Sequence, residues 1–251
     1  MASVQHIDLL HHVPAELRQD VNCFSFNRWG GVSKPPFHEL NVSFDVGDKP
    51  QDVSKNLEII KQISATQNLF FLKQVHGNQI ICVDYENDSS SVEADGLFTV
   101  QPHKGLMIKH ADCQAVVLYA PTVKAIANIH CGWRGNVNEI LPRAVATFCS
   151  FYGSRPKDVW AGISPSLGPC CAEFKDWKSK LPKWLHRFKV WQDHFNFWAA
   201  STYQLKQSGI PIDQIFCAQI CTMCNENYFS FRRDQVTGRN GTLVILQNHL
   251  K

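Results

Sequence analysis

Val53, Leu57, Ile60 and Ile63 recur along the chain at the spacing of one helical face. Pro50 stands just ahead of them, where the first turn of a helix has no use for an N–H, so the pattern predicts a helix over about 50 to 64. The apolar runs then shorten. Leu69 to Leu72, Gln79 to Val83, Gly105 to Ile108, Ala115 to Tyr119 and Ala125 to Ile129 have strand character and strand length. After Gly135, the positions Val137, Leu141, Val145, Phe148 and Cys149 return to helical spacing, with Pro142 delaying or bending the first turns because it removes a donor. Val159 to Ile163 reads as another strand, leading into the Gly- and Pro-bearing turn Ser164 to Pro169. The stretch Glu173 to Gln207, rich in Trp, Phe and Lys, reads as mostly helical, with Gly209 as its stop. Ile215 to Ile220 and Thr242 to Leu246 complete the set as strands. Helices and strands mix without steady alternation, which predicts an α+β fold, a single domain over residues 1–251 with mixed β-sheet and helices packed outside.

Composition adds a few bounds. A hydrophobic content of 44% is ample for a continuous core in 251 residues. The net charge of +3 is dispersed, with no long basic tract, so charge does not indicate nucleic acid or an anionic membrane as a partner and leaves small anionic or neutral ligands open. Met1 to His12 lacks the basic segment, long apolar run and small-residue cleavage site of an export signal, and no long uninterrupted apolar run occurs elsewhere. A soluble, cytoplasmic protein is expected, and its ten cysteines are then expected to be reduced thiols.

Unusual chemistry gathers in three short settings: Gln74-Val75-His76-Gly77, Ala111-Asp112-Cys113, and His130-Cys131-Gly132-Trp133-Arg134-Gly135. Together His76, Cys113 and His130 are a candidate zinc triad, because two imidazoles and a thiolate fill three tetrahedral positions and leave the fourth open, the ligand count of a catalytic site. Cys113 stands between two predicted strands and His130 ends the next, so an up-and-down excursion can return one near the other. His76 has to arrive through tertiary folding. From spacing alone the ordinary readings stay open, a satisfied polar histidine in a turn and a packed thiol.

Other clusters compete. Cys221-Thr222-Met223-Cys224, with Cys170 and Cys171, is a lone CxxC without a second pair or a βαβ context, and core thiols are the preferred reading over a structural zinc or redox centre. His11-His12 reads as a solvated start. The glycines around Trp133 and Arg134 permit close ligand approach, and Arg134 can fork onto an oxyanion, while a plain strand-to-helix turn is equally open. Arg232, Arg233 and Arg239 form a late basic group that faces either phosphate or, the favoured reading, the surface. Trp177, Trp184, Trp191 and Trp198 recur at even spacing, which reads as a core stripe rather than a partner-binding face.

Taken in order, these blocks resemble a known family: bacterial proteins formerly called multicopper polyphenol oxidases or laccase-domain proteins, now regarded as purine nucleoside phosphorylases and also named peptidoglycan editing factor. The resemblance runs through Leu40-Asn41-Val42-Ser43, Val46-Gly47-Asp48, the His76 block, Glu93-Ala94-Asp95-Gly96, the Cys113 block, His130 to Gly135, Gly162 to Cys171, Phe229-Ser230-Phe231-Arg232-Arg233 and Gly238-Arg239. It implies that His76, Cys113 and His130 are zinc ligands. It also implies phosphorolysis of adenosine, inosine, guanosine and methylthioadenosine, and deamination of adenosine, so that purine nucleosides and phosphate are the expected partners. In such a site zinc activates water for attack on purine C6, and Asp95 and Asp112 are the nearest carboxylates for moving protons. Phosphate attacking ribose C1′ would be oriented by Arg134 first, with Ser43, Arg232, Arg233 and Arg239 behind it.

The family also implies an alternative, removal of a wrongly incorporated amino acid from a peptidoglycan precursor, and a third reading is a non-enzymatic, zinc-stabilised binding protein. Copper oxidation is disfavoured, since it needs several coppers and paired His motifs and no His-x-His occurs. The HxE and PCxxC signature of zinc nucleobase deaminases is absent too, so deamination here would use a different architecture. Cys131 departs from the family, which usually has Ala there, and its thiol is either packing or an additional soft ligand.

Overall fold

The computed structural model describes residues 3–85 and 88–247. Strand β1 (His6–Ile7) pairs antiparallel with β2 (Val21–Phe26). Helix α1 (Pro50–Ser64) follows with Pro50 in its first turn; Val53, Leu57 and Ile60 are buried as their spacing requires, and Ala65 ends it in the left-handed region. Six strands come next: β3 (Asn68–Phe70), β4 (Ile80–Cys82), β5 (Gly96–Thr99), β6 (Lys104–His110), β7 (Gln114–Ala120) and β8 (Ala125–Cys131). The predicted helix after Gly135 is two helices, α2 (Trp133–Val137) and α3 (Ile140–Tyr152), because Glu139 adopts a left-handed conformation between them. Pro142 therefore falls in the first turn of α3, where its missing N–H costs no helical bond.

After β9 (Trp160–Ile163) the structure departs from the helical reading of 173–207. That segment contains α4 (Trp177–Lys180), a 3-10 run over Lys183–Phe188, and the two-stranded hairpin of β10 (Lys189–Trp191) and β11 (His194–Phe195) before α5 (Phe197–Gln207) begins. Leu181 and Pro182 leave the helix for extended backbone, as a residue preceding proline prefers, and Asn196 starts α5 afresh by accepting the Ala199 N–H at 2.9 Å. The four tryptophans consequently sit on four different elements rather than in one stripe, and Trp191 is 49% exposed instead of buried. The chain ends with β12 (Ile215–Cys217), shorter than predicted, α6 (Phe231–Asp234) and β13 (Asn240–Leu246). Of the His11-His12 start, His11 is exposed as expected, its ring edge-on to Phe216, while His12 is partly buried with Nε2 3.1 Å from the Gln214 carbonyl.

The fold is α+β, with mixed sheets and helices outside them. One sheet has the order β1-β2-β13-β6-β3 and the other β12-β9-β7-β8-β5-β4. They pack face to face: Leu106, Ile108 and Val244 of the first meet Val117, Tyr119 and Ile126 of the second. Because side chains alternate along a strand, Val116, Leu118 and Ile129 point the other way, onto α3, while Met107 and Leu243 face α1. The result is four layers, helix, sheet, sheet and helix. Strands buried on both faces need mostly apolar runs, as β7 has from Ala115 to Ala120 and as β8 has apart from Asn128 and His130. Asn128 is the polar tie between the sheets, its Nδ2 donating to the carbonyls of Leu106 at 3.0 Å and Thr242 at 2.8 Å. No helix among the described residues is long and apolar enough to cross a membrane.

Candidate metal centre

Strands β5, β7 and β8 bring three chain segments to one end of the second sheet. Ala115 pairs with His130 and Gly96 with Ile129, so Cys113, just before β7, and Asp95, just before β5, both arrive beside His130. His76 comes from the loop between β3 and β4, and Asp95 holds it there. Its carboxylate is fully buried. Oδ1 accepts the His76 N–H at 2.9 Å and the His130 Nδ1–H at 2.8 Å, while Oδ2 accepts the Gly77 N–H at 2.6 Å and the Val75 N–H at 3.3 Å. These bonds hold His76 at a φ of 60°, a left-handed conformation uncommon outside glycine. They also occupy Nδ1 of His130 and leave its Nε2 free for a ligand.

The donor atoms of His76, Cys113 and His130 lie within 4.8 Å of one another. Burial by itself would push the Cys113 thiol up, but the two imidazoles outweigh it and hold the group down at about 6. Burial likewise works against a charged His130, and the facing Cys113 thiolate and Asp95 carboxylate overcome it, raising the imidazole to about 9. A thiolate stable at neutral pH beside two imidazoles is a donor set that suits a borderline-soft divalent cation. Gly132 completes the cradle: a Cβ built there would lie 2.7 Å from the Cys113 sulfur and 3.6 Å from His76 Cδ2. Gly132→Ala is therefore expected to push the sulfur out of place and weaken metal binding by about 10-fold or more, judged from the usual effect of disturbing a ligand's support. Competition with a chelator measures it, and an unchanged affinity would show that the sulfur has room to move.

A cavity of about 910 Å³ opens over the triad. Of the residues singled out from sequence, Ser43, Asp112, Arg134, Arg232 and Arg239 line it together with His76, Cys113 and His130, whereas Asp95 and Arg233 lie outside. Asp95 thus orients His76 and His130 from outside the cavity. Asp112, held at a φ of 87°, spends its carboxylate on the hydroxyls of Thr222 and Ser230, both at 2.7 Å, and on the Arg232 N–H at 2.6 Å, so it anchors the start of α6. Ser43 is buried and caps the 3-10 turn Phe44–Val46, accepting the Asp45 N–H. Arg134 is exposed and lies 4.4 Å over the Trp133 ring. The Arg233 guanidinium is committed to the carbonyls of Thr222, Met223 and Tyr228 and to Asp234. Arg239 is half-buried; burial lowers its pKa against the pull of Cys113, Asp112 and Asp45.

Some lining groups escaped the sequence reading. Lys109 belongs to β6, keeps a side chain only 16% exposed, and reaches Asp45 at 3.2 Å. A lysine at the end of an otherwise apolar strand was the available signal. Phe174 and Phe197 supply aromatic wall from separate segments that nothing local marks, and Phe231 adds a third ring from beside Arg232. Cys131 is packing, buried and outside the ligand group, its sulfur accepting from Asn136 Nδ2 at 3.2 Å and burial pushing its thiol up. The sulfurs of Cys170, Cys171, Cys221 and Cys224, read as core thiols, instead converge within 4.8 Å, with Cys170 and Cys224 exposed.

Known proteins are similar over most of the chain. The purine nucleoside phosphorylase YfiH of Shigella flexneri is 30% identical over 242 residues, 92% of this chain and 96% of that one. The purine nucleoside phosphorylase YlmD of Bacillus subtilis is 30% identical over 86% of this chain and 84% of that one. Among solved structures, the hypothetical protein YfiH of Bacillus licheniformis superimposes with a TM-score of 0.84 at 29% identity, covering 90% of this chain and 93% of its own. YlmD from Geobacillus stearothermophilus has a TM-score of 0.84 at 27% identity, over 93% and 94% of the two chains. A family model described as multi-copper polyphenol oxidoreductase laccase matches residues 22–247, and the chain belongs to that family.

Proposed function

We propose that this chain is a zinc-dependent purine nucleoside phosphorylase that also deaminates adenosine. The observation that carries the reading is one cavity in which two imidazoles and a thiolate meet cationic and aromatic side chains. The names of the relatives from Shigella flexneri and Bacillus subtilis point the same way. Among the described residues the candidate ligand groups are this triad and the four-cysteine cluster, and a multi-copper oxidase needs more imidazole than that. The one histidine buried nearby, His110, is turned to the Thr242 hydroxyl at 2.9 Å, and burial pushes it down to about 3, so it stays neutral and outside the ligand set.

When bound at His76, Cys113 and His130, Zn²⁺ supplies Lewis-acid chemistry at one wall of the cavity. The remaining work falls to the protein. Phosphorolysis forms a bond between a phosphate oxygen and ribose C1′ as the bond from C1′ to the purine nitrogen breaks, leaving ribose 1-phosphate and the free base. Arg239 and Lys109, both partly withdrawn from water, offer fixed positive charge for that phosphate, and we rank them ahead of the exposed Arg134. Phe174 and Phe231 offer ring faces for the purine. Asp95 keeps the His130 ring oriented, and Asp112 keeps Arg232 at the rim.

Incubating the zinc-loaded protein with adenosine, with and without phosphate, tests the reading. Adenine and ribose 1-phosphate are expected only when phosphate is present, and inosine in either case. Absence of all three products would overturn the proposal.

A further inference from the structure

The four-cysteine cluster stands apart from the triad and belongs to different elements. Cys170 and Cys171 follow β9 in a turn closed by the Cys171 N–H on the Gly168 carbonyl at 2.9 Å, and Cys221 and Cys224 follow β12 in a turn closed by the Asn225 N–H on the Cys221 carbonyl at 2.9 Å. Parallel pairing of β9 with β12 lays the two turns side by side. The Thr222 N–H to the Ser166 carbonyl, at 3.1 Å, and the Ser166 N–H to the Ile220 carbonyl, also at 3.1 Å, extend that pairing to the cluster.

We propose that Cys170, Cys171, Cys221 and Cys224 form a second, closed zinc site that clamps these two turns together. Four thiolates at zinc's usual bond length of about 2.3 Å form a tetrahedron with sulfurs about 3.8 Å apart. Here the Cys224 sulfur lies 3.6 Å from that of Cys170 and 3.3 Å from that of Cys171, and all four fall within 4.8 Å of one another.

Features beyond the sulfurs also fit a metal. A backbone N–H turns toward sulfur, that of Gly168 lying 3.3 Å from Cys221 Sγ, as donors do around metal thiolates. A Cβ at Gly168 would come within 2.9 Å of Cys221 Cβ, so the approach of the two turns requires the glycine. Guanidinium groups also back both turns: Arg233 donates to the carbonyls of Thr222 at 2.9 Å and Met223 at 3.2 Å, and Arg232 donates to that of Cys171 at 3.3 Å. Arg233 is ion-paired with Asp234, so Arg232 is the guanidinium there whose charge offsets part of the net negative charge that four thiolates leave on a divalent ion.

The clamp has a consequence for the neighbouring cavity. Leu167 and Phe174, on either side of Cys170 and Cys171, line it, and Arg232 links Cys171 to the same rim. A zinc ion in the cluster would therefore hold one wall of that cavity without touching a substrate.

The test is metal content of protein purified under reducing conditions, followed by titration with Co²⁺. Wild type is expected to carry about two zinc ions per chain, and Cys113→Ala, which removes the only thiolate of the triad, about one. Cobalt bound to Cys113→Ala should show an intense sulfur-to-metal charge-transfer band, because only the cluster then supplies sulfur. Adding Cys221→Ser and Cys224→Ser should abolish that band. Should Cys113→Ala fail to fold, the wild type still decides: two cobalt-binding phases, the stronger charge-transfer phase lost in Cys221→Ser/Cys224→Ser alone, support the clamp. One metal per chain, with the four cysteines reacting as free thiols or recovered as a disulfide, would overturn it while leaving the triad reading intact.

Discussion

Replacing Cys113 with alanine is expected to remove phosphorolysis almost completely while the protein stays folded. The side chain sits just outside β7, so the ladder between β7 and β8 does not depend on it. Its loss leaves two imidazoles, one of them exposed, which bind zinc far more weakly than a set that includes a thiolate. Lewis-acid stabilisation of a transition state amounts to several kcal/mol, so kcat/KM should fall by about 10³ or more. Stability should change by no more than about 2 kcal/mol, the range of ordinary single substitutions. Turnover of adenosine with phosphate, zinc content and a thermal melt on the same sample separate the outcomes. Full activity would end the metal mechanism, and collapse of the fold would make the triad structural.

Asp95→Asn should have the second largest effect, although the side chain changes by a single atom. The carboxylate is an acceptor on every side, with two N–H groups on each oxygen. An amide keeps one accepting oxygen and turns its NH₂ either onto the Gly77 and Val75 donors or onto those of His76 and His130. Either orientation sets donors against donors in a buried place, at a cost of about 2 to 4 kcal/mol. The same clash releases the His76 loop and the His130 ring, so zinc affinity should fall by about 10- to 100-fold. Isothermal titration with zinc and denaturant unfolding of the metal-free protein measure the two effects, and wild-type values in both would refute the role given to Asp95.

A pH signature accompanies this. Burial would raise the Asp95 carboxyl, but the bond to His130, its charge and the N–H groups of Gly77 and His76 prevail and leave it below its usual range. A depressed folded-state pKa contributes stability above the unfolded value of about 3.9, and that stability is lost as pH falls through the folded value. The metal-free wild type should thus lose stability below about pH 4 more steeply than Asp95→Asn.

Helix α1 and the strands β3, β4, β6 to β9, β12 and β13 were legible because each is decided within a few residues, whereas β1, β2 and β5 were not read as strands. Val53, Leu57 and Ile60 need only one buried face, and β7 and β8 need only an apolar layer on each side. The segment 173–207 misled because aromatic residues suit helices, 3-10 turns and hairpins alike, and Pro182 and Asn196 broke a pattern that composition alone could not divide. His76, Cys113 and His130 were visible as candidates through their unusual local settings. The support of Asp95 beneath them was not, since a carboxylate that moves protons and one that orients an imidazole look the same until its neighbours are known. Arg233 shows the same limit: its sequence setting left phosphate or the surface open, and its hydrogen bonds go to backbone carbonyls and Asp234.

By itself, then, the sequence determined the local elements, the class of fold they make and the residue types able to hold a metal, because helical and strand periodicities and the chemistry of single side chains are short-range properties. Only the tertiary structure decided which of those side chains meet. The antiparallel pairing of β7 with β8 sets Cys113 beside His130, and the parallel pairing of β9 with β12 gathers four cysteines that spacing had left in the core. Long-range strand pairing joins residues far apart in the chain through backbone hydrogen bonds and shared burial, and no local pattern records which partners it will choose.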